Sequence, residues 1–171
     1  MNFEDVVVRS NKPYPEIVGA QSDSRTVCVL KNLATSRVGE LGAILQYTYQ
    51  GVVADKIMQD VAKILEEISI VEMMHLEMLM HAITEFGGIP KYEDCQGLSY
   101  NAKYVNYSMK LHEMLNNNIL GEKTAINNYQ QAINLVENES LKKLFARIIE
   151  DEEMHIKVFE KIKNNVEFLS I

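Results

Sequence analysis

Two short runs in this chain, Glu72-Met73-Met74-His75 and Glu152-Glu153-Met154-His155, share the pattern Glu-x-x-His. Residues three apart lie on one face of an α-helix. A carboxylate oxygen and an imidazole nitrogen from each run can therefore reach one metal ion together. Both runs sit where ionisable groups are costly. Leu141, Phe145, Ile148, Glu152, His155, Phe159, Ile162 and Val166 step by alternating fours and threes, as does the seam of a packed helix. Val61, Leu65, Ile68, Glu72, His75, Leu79, Ala82 and Phe86 form the same kind of stripe. In each, a Glu and a His replace apolar residues at mid-stripe. A carboxylate buried there costs several kcal/mol unless it is paired or bound to a metal.

Two further stripes complete the set. Leu33, Ser36, Glu40, Ala43, Tyr47, Gln50 and Ala54 share one face, and Leu111, Leu115, Asn118, Glu122, Ala125, Tyr129, Ala132 and Val136 another. Each carries one central Glu followed seven residues later by Tyr. The chain is thus a weak internal repeat, in which Glu40, Tyr47, Glu72 and His75 are echoed by Glu122, Tyr129, Glu152 and His155.

Long helices are needed to carry these stripes. Prolines occur only at 13, 15 and 90, and the stretch between is rich in helix formers. The periodicity predicts helices over about 24–54, 56–87, 107–137 and 140–165. Gly87-Gly88 with Pro90 beyond stops the second, and Asn138 and Ser140 lie at the start of the fourth. Two short joins and one long one, residues 88–106, predict an all-α fold: an antiparallel four-helix bundle of two hairpins with one long crossover. Residues 1–23 read as an irregular N-terminal arm and 24–171 as the bundle domain. The arm holds Tyr14 between two prolines and is placed against a neighbouring subunit.

Composition narrows the function. With 171 residues the chain suits one domain and can bury a core without metal or disulfide support. A formal charge of -7 argues against nucleic-acid binding. No apolar run is long enough to span a membrane, and MNFEDVVVRSNKPYPEIVG has no apolar core of signal-peptide length. Cys28 and Cys95 form no Cys-x-x-Cys pair. They read as inert thiols, and a reducing cytoplasm as the compartment.

One Glu from each of two helices and Glu-x-x-His from each of the other two resembles the ferritin-like di-metal carboxylate superfamily. The resemblance covers roughly residues 30–165. DEEMH at 151–155 and HLEMLMHAITEFGGIP at 75–90 resemble bacterioferritins, and GELGAILQYTYQ at 39–50 is similar to manganese catalases. The resemblance implies that Glu72 and Glu152 bridge two ions, with Glu40 and His75 completing one and Glu122 and His155 the other. Oxygen and imidazole donors suit Fe or Mn, with Zn as a redox-silent substitute. Two divalent ions would bring the formal charge from -7 to about -3.

The departures shape the expected function. Rubrerythrins carry an extra Glu three residues after the third-helix ligand, where this chain has Ala125, and a four-cysteine domain that it lacks. Cage-forming relatives have a short fifth helix, and few residues follow His155 here. Met73 occupies the place of a haem-ligating Met in bacterioferritins but reads as packing, so haem is not expected. A ligating His commonly donates its other N–H to a carboxylate. Asp151 is the candidate partner of His75, whereas the pseudo-equivalent position is Val71, so the two sites should differ. Tyr47 and Tyr129 should hydrogen-bond ligand carboxylates of the opposite hairpin. His81 and His112 read as bystanders. The implied activity is redox chemistry on hydrogen peroxide or dioxygen, with an unidentified electron donor, in a homodimer or larger homo-oligomer. An iron-binding or storage protein with ferroxidase activity, or a structural bundle stapled by metal, is the alternative.

Overall fold

The computed structural model describes residues 6–167, all-helical apart from loops and one isolated β-bridge, Glu93 to Ser99. Five α-helices follow in order: α1 Ser24–Thr35, α2 Glu40–Asp55, α3 Gln59–Glu85, α4 Leu111–Leu135 and α5 Glu139–Glu167. α2 and α3 form one hairpin, α4 and α5 the other, and α1 leans on α3 and α4. This is the expected four-helix bundle, with its first helix in two pieces.

The break between α1 and α2 was not anticipated. Ser36 leaves helical geometry at ψ 177°, and Gly39 starts α2 from extended backbone. Gly39 passes against the last turn of α1. A Cβ there would lie 2.5 Å from the Leu33 carbonyl oxygen and 2.9 Å from Thr35 N. The kink makes Glu40 the first residue of α2, where the helix dipole favours a carboxylate. Asp23 caps α1 by accepting from the N–H groups of Arg25 and Thr26. α3 ends as expected: Phe86 leaves the helix, Gly87 takes φ +83°, and Gly88 N–H bonds back to the Ile83 carbonyl. α4 begins at Leu111 rather than about 107, because Val105 is buried in extended backbone and Asn106 is held by Gln46.

Two apolar clusters flank the layer that holds the ionisable residues. One contains Leu79, Ile83, Phe145 and Ile148, the other Leu65, Ile68, Leu115, Phe159 and Ile162. Burying these side chains contributes roughly 1.5–3 kcal/mol each, which holds the polar layer between them in place.

Cys28 and Cys95 are not inert thiols. They are joined in a disulfide between residues 67 apart in sequence. The crossover folds back over α1, with Cys95 N–H donating to Asn32 and Lys31 pairing with Glu93 at 2.7 Å. Such a bond typically stabilises by about 2–4 kcal/mol. It also removes the cysteine-based reason for assigning a reducing compartment. Among the described residues no helix is long and apolar enough to cross a membrane.

Candidate metal centre

The stripes converge at mid-bundle. α2 brings Glu40, α3 Glu72 and His75, α4 Glu122, and α5 Glu152 and His155; none is more than 5% exposed. Atoms of Glu40, Glu72, His75 and Glu152 lie within 4.8 Å of one another, and so do atoms of Glu72, Glu122, Glu152 and His155. The two quartets share Glu72 and Glu152. His75 Nδ1 faces Glu72 at 3.1 Å, Glu152 at 3.4 Å and Glu40 at 3.8 Å. His155 Nδ1 faces Glu72 and Glu152 at 3.1 Å and Glu122 at 3.6 Å.

One N–H cannot serve three carboxylates. Among the described residues, buried Glu72 Oε1 and Glu152 Oε1 make no hydrogen bond of good geometry, although imidazole nitrogens stand 3.1 and 3.4 Å away. Such groups are costly unless a cation meets them. Oxygen and imidazole donors at this density fit two divalent ions.

Phenols hold the outer oxygens. Tyr47 donates to Glu122 and Tyr129 to Glu40, each across to the opposite hairpin, as the sequence suggested. Burial, and then the charges of Glu122 and Glu40, raise these phenols well above the usual range, so both remain neutral donors.

Without metal the layer shares protons. Burial first, and then the charge of the shared carboxylates, holds Glu40 and Glu122 well above the ordinary carboxylate range. Burial would lower both imidazoles, but the carboxylates around them outweigh it and raise them well above normal. Burial likewise opposes the charge on Glu72, but both imidazoles outweigh it and hold that carboxyl low. Metal needs ionised carboxylates and neutral imidazoles. Groups raised in this way hold their protons to higher pH than free carboxyls and imidazoles do, so metal uptake must expel protons and weaken as pH falls. Calorimetric titration in buffers of different ionisation enthalpy should show proton release, with apparent affinity rising as pH rises.

Asp151 is buried beside Glu152, with Oδ2 3.2 Å from His75 Nε2. Among the described residues His155 Nε2 is buried with no hydrogen-bond partner, and position 71 offers only valine. The two halves are therefore inequivalent. Sequence reasoning missed what surrounds Asp151. Arg147, one turn earlier on α5, pairs with it at 2.8 Å, and Tyr14 donates to it at 2.6 Å. The Arg147–Asp151 spacing was a legible signal; nothing in the sequence pointed to Tyr14. Burial, with Asp151 beside it, pushes Tyr14 up to about 12. Burial would raise Asp151, but its donors, His75 foremost, hold it at about 2.

A cavity of about 280 Å³ between α2 and α4 joins exposed Arg37, Val38 and Leu120 to the four buried glutamates. Gly42, Ala43, Gly121 and Ala125 line it and leave it open. Beside it, Gln46, Asn118 and Gln50 form a hydrogen-bonded ladder between α2 and α4, also missed from sequence. Met73, expected as packing, lies exposed on α3.

The rubrerythrin family profile matches residues 31–163, a span that holds all six residues of the cluster. The chain belongs to the rubrerythrin family. Among curated protein sequences none matches this rubrerythrin-family chain. Its fold is shared with a manganese catalase from Anabaena, at TM-score 0.83 and 24% identity over 92% of this chain and 80% of that one. The bacterioferritin of Rhodobacter capsulatus, solved with a metal-free dinuclear site and haem iron, matches at TM-score 0.75 and 25% identity over 87% and 89%. That of Desulfovibrio desulfuricans, solved with its di-iron site in different catalytic states, matches at 0.74 and 27% over 85% and 82%. This rubrerythrin-family chain is thus a ferritin-like protein with a buried carboxylate–histidine cluster of the di-metal type.

Proposed function

We propose that the chain is a di-metal oxidoreductase acting on hydrogen peroxide or dioxygen, in the manner of oxidative-stress defence. The observation that carries this reading is the pair of four-residue groups sharing Glu72 and Glu152. In this assignment Glu72 and Glu152 would be shared by both ions, Glu40 and His75 would complete one ion's ligands, and Glu122 and His155 the other's. Fe or Mn is the resident metal, and Zn substitutes without turnover. Two such ions, when bound, would supply two-electron redox chemistry. The chain's own residues do the rest. The cavity admits a small oxidant to the carboxylate side, and the apolar clusters flanking the layer keep bulk water from it.

Tyr47 and Tyr129 are assigned to hold Glu122 and Glu40 in ligating position as neutral donors. Removing either hydroxyl leaves a buried carboxylate oxygen unmatched, at a cost of about 1–3 kcal/mol. Tyr47→Phe and Tyr129→Phe are each expected to lower metal affinity about 10-fold, read by competition with a chromogenic chelator.

The proposed assembly is a homodimer or larger, with an electron donor still to be identified. The bacterioferritin likenesses favour iron binding with ferroxidase activity as a second reading. Protein loaded separately with Mn(II) and Fe(II) distinguishes the readings. Oxygen release from hydrogen peroxide, or peroxide consumption with a reductant, supports the first. Fe(II) oxidation with iron retained and little peroxide turnover supports the second. Protein that does neither with either metal overturns both.

A further inference from the structure

The described part of the N-terminal arm, residues 6–23, crosses α5 of its own chain and closes over Asp151. Both carboxylate oxygens of Asp151 are engaged by the arm. Ser10 N–H donates to Oδ1 at 2.7 Å, and the Tyr14 hydroxyl donates to Oδ2 at 2.6 Å. Arg147 locks the arm in turn, donating from Nε to the Lys12 carbonyl and from Nη2 to the Ser10 carbonyl, both at 2.9 Å. Its guanidinium lies 4.4 Å from the centre of the Tyr14 ring, a cation–π contact made inside the protein. The Tyr14 ring meets His75 edge-on, with its hydroxyl 3.4 Å from Nε2. The outward nitrogen of His75 thus faces a buried carboxylate that the arm holds on both oxygens. The outward nitrogen of His155 has no hydrogen-bond partner among the described residues.

We infer that the N-terminal arm is a positioning element for one half of the centre: through Ser10 and Tyr14 it fixes Asp151, Asp151 fixes His75, and the His75 half therefore binds its ion more tightly than the His155 half. This rests on the metal-centre reading above. The physical reason is general. A carboxylate accepting the second N–H of a ligating imidazole fixes its tautomer and ring angle and makes it a better donor to metal. A carboxylate free to rotate does this poorly, and one held by a backbone amide, a phenol and a buried guanidinium is pre-organised. His155 has no such support among the described residues on its outward nitrogen, so on that side its ring is held by packing alone. Tyr14 and Ser10 are positioning residues; neither faces the space between the Nδ1 atoms. The two ions should consequently load in order, the first beside His75.

The test is a Co(II) titration of metal-free full-length protein, followed by the visible d–d bands. Wild type should bind two equivalents in two resolved steps. Tyr14→Phe keeps the ring beneath Arg147 and removes only the hydroxyl. It should weaken the first step about 10-fold and leave the second unchanged. Asp151→Asn, which retains the shape but not the charge, should weaken the first step about 10- to 100-fold. Two equal steps in wild type, or Tyr14→Phe lowering both steps alike as a merely structural role would, overturns the proposal while the metal centre stands. Wild-type protein that takes up no Co(II) overturns the metal reading beneath it.

Discussion

Replacing Glu72 and Glu152 together with alanine is expected to empty the centre while leaving the bundle folded. Each of the two groups of potential ligands contains both residues, so the double variant leaves only Glu40 with His75 and Glu122 with His155. A site reduced from four protein donors to two should lose well over about 100-fold in affinity, since losing even an outer hydrogen bond costs 10- to 100-fold. Metal content should fall from two per chain to trace by elemental analysis. Stability of the metal-free protein should change little. Removing two crowded buried carboxylates stabilises by about 1–4 kcal/mol, and the smaller side chains leave cavities that cost a similar amount. The stabilisation by bound metal, about 4 kcal/mol at a thousand times Kd, should vanish. A variant that still carries two ions per chain refutes the ligand set.

Gly39→Ala should be nearly as severe, although residue 39 touches no ion. Its added Cβ would meet Leu33 O, Ala34 C and Thr35 N at 2.5, 2.9 and 2.9 Å, all backbone of the last turn of α1. No side-chain rotation relieves such a contact, so the α1–α2 joint must open. The expected cost is about 2–4 kcal/mol in chemical denaturation. Glu40 begins α2 directly after this joint and is bonded to Tyr129, so it should be displaced with it. Affinity at the His75 half should fall by about 10-fold or more. Gly121→Ala is the control. Its Cβ meets nothing within 4 Å, and inside α4 it should stabilise by up to about 1 kcal/mol.

The central layer was legible because its residues violate a rule that everything around them obeys. Glu72 and His75, or Glu152 and His155, interrupt an otherwise apolar four-three stripe, and periodicity alone puts them on the inner face of α3 and α5. Tyr47 and Tyr129 followed from the same registers. What stayed hidden depends on contacts between segments that share no period. The interruption at residues 36–39 leaves Leu33 and Glu40 seven apart, so the stripe reads as one helix straight through a kink set by backbone approach. Cys28 and Cys95 meet because the crossover doubles back over α1, a path that loop composition does not encode. Tyr14 reaches Asp151 from an arm with no regular structure, held by carbonyls that any residues would supply to Arg147. Local pattern thus located the chemistry and the helices that carry it, whereas the asymmetry of the surroundings became visible only in three dimensions.

The most direct test of the account is anomalous scattering from crystals of freshly purified protein, recorded at the iron and manganese edges. The account predicts two peaks about 3.5–4 Å apart, both between Glu72 and Glu152, one beside Nδ1 of His75 and the other beside Nδ1 of His155. No anomalous peak in that layer at either edge, or metal found only elsewhere on the chain, would contradict it.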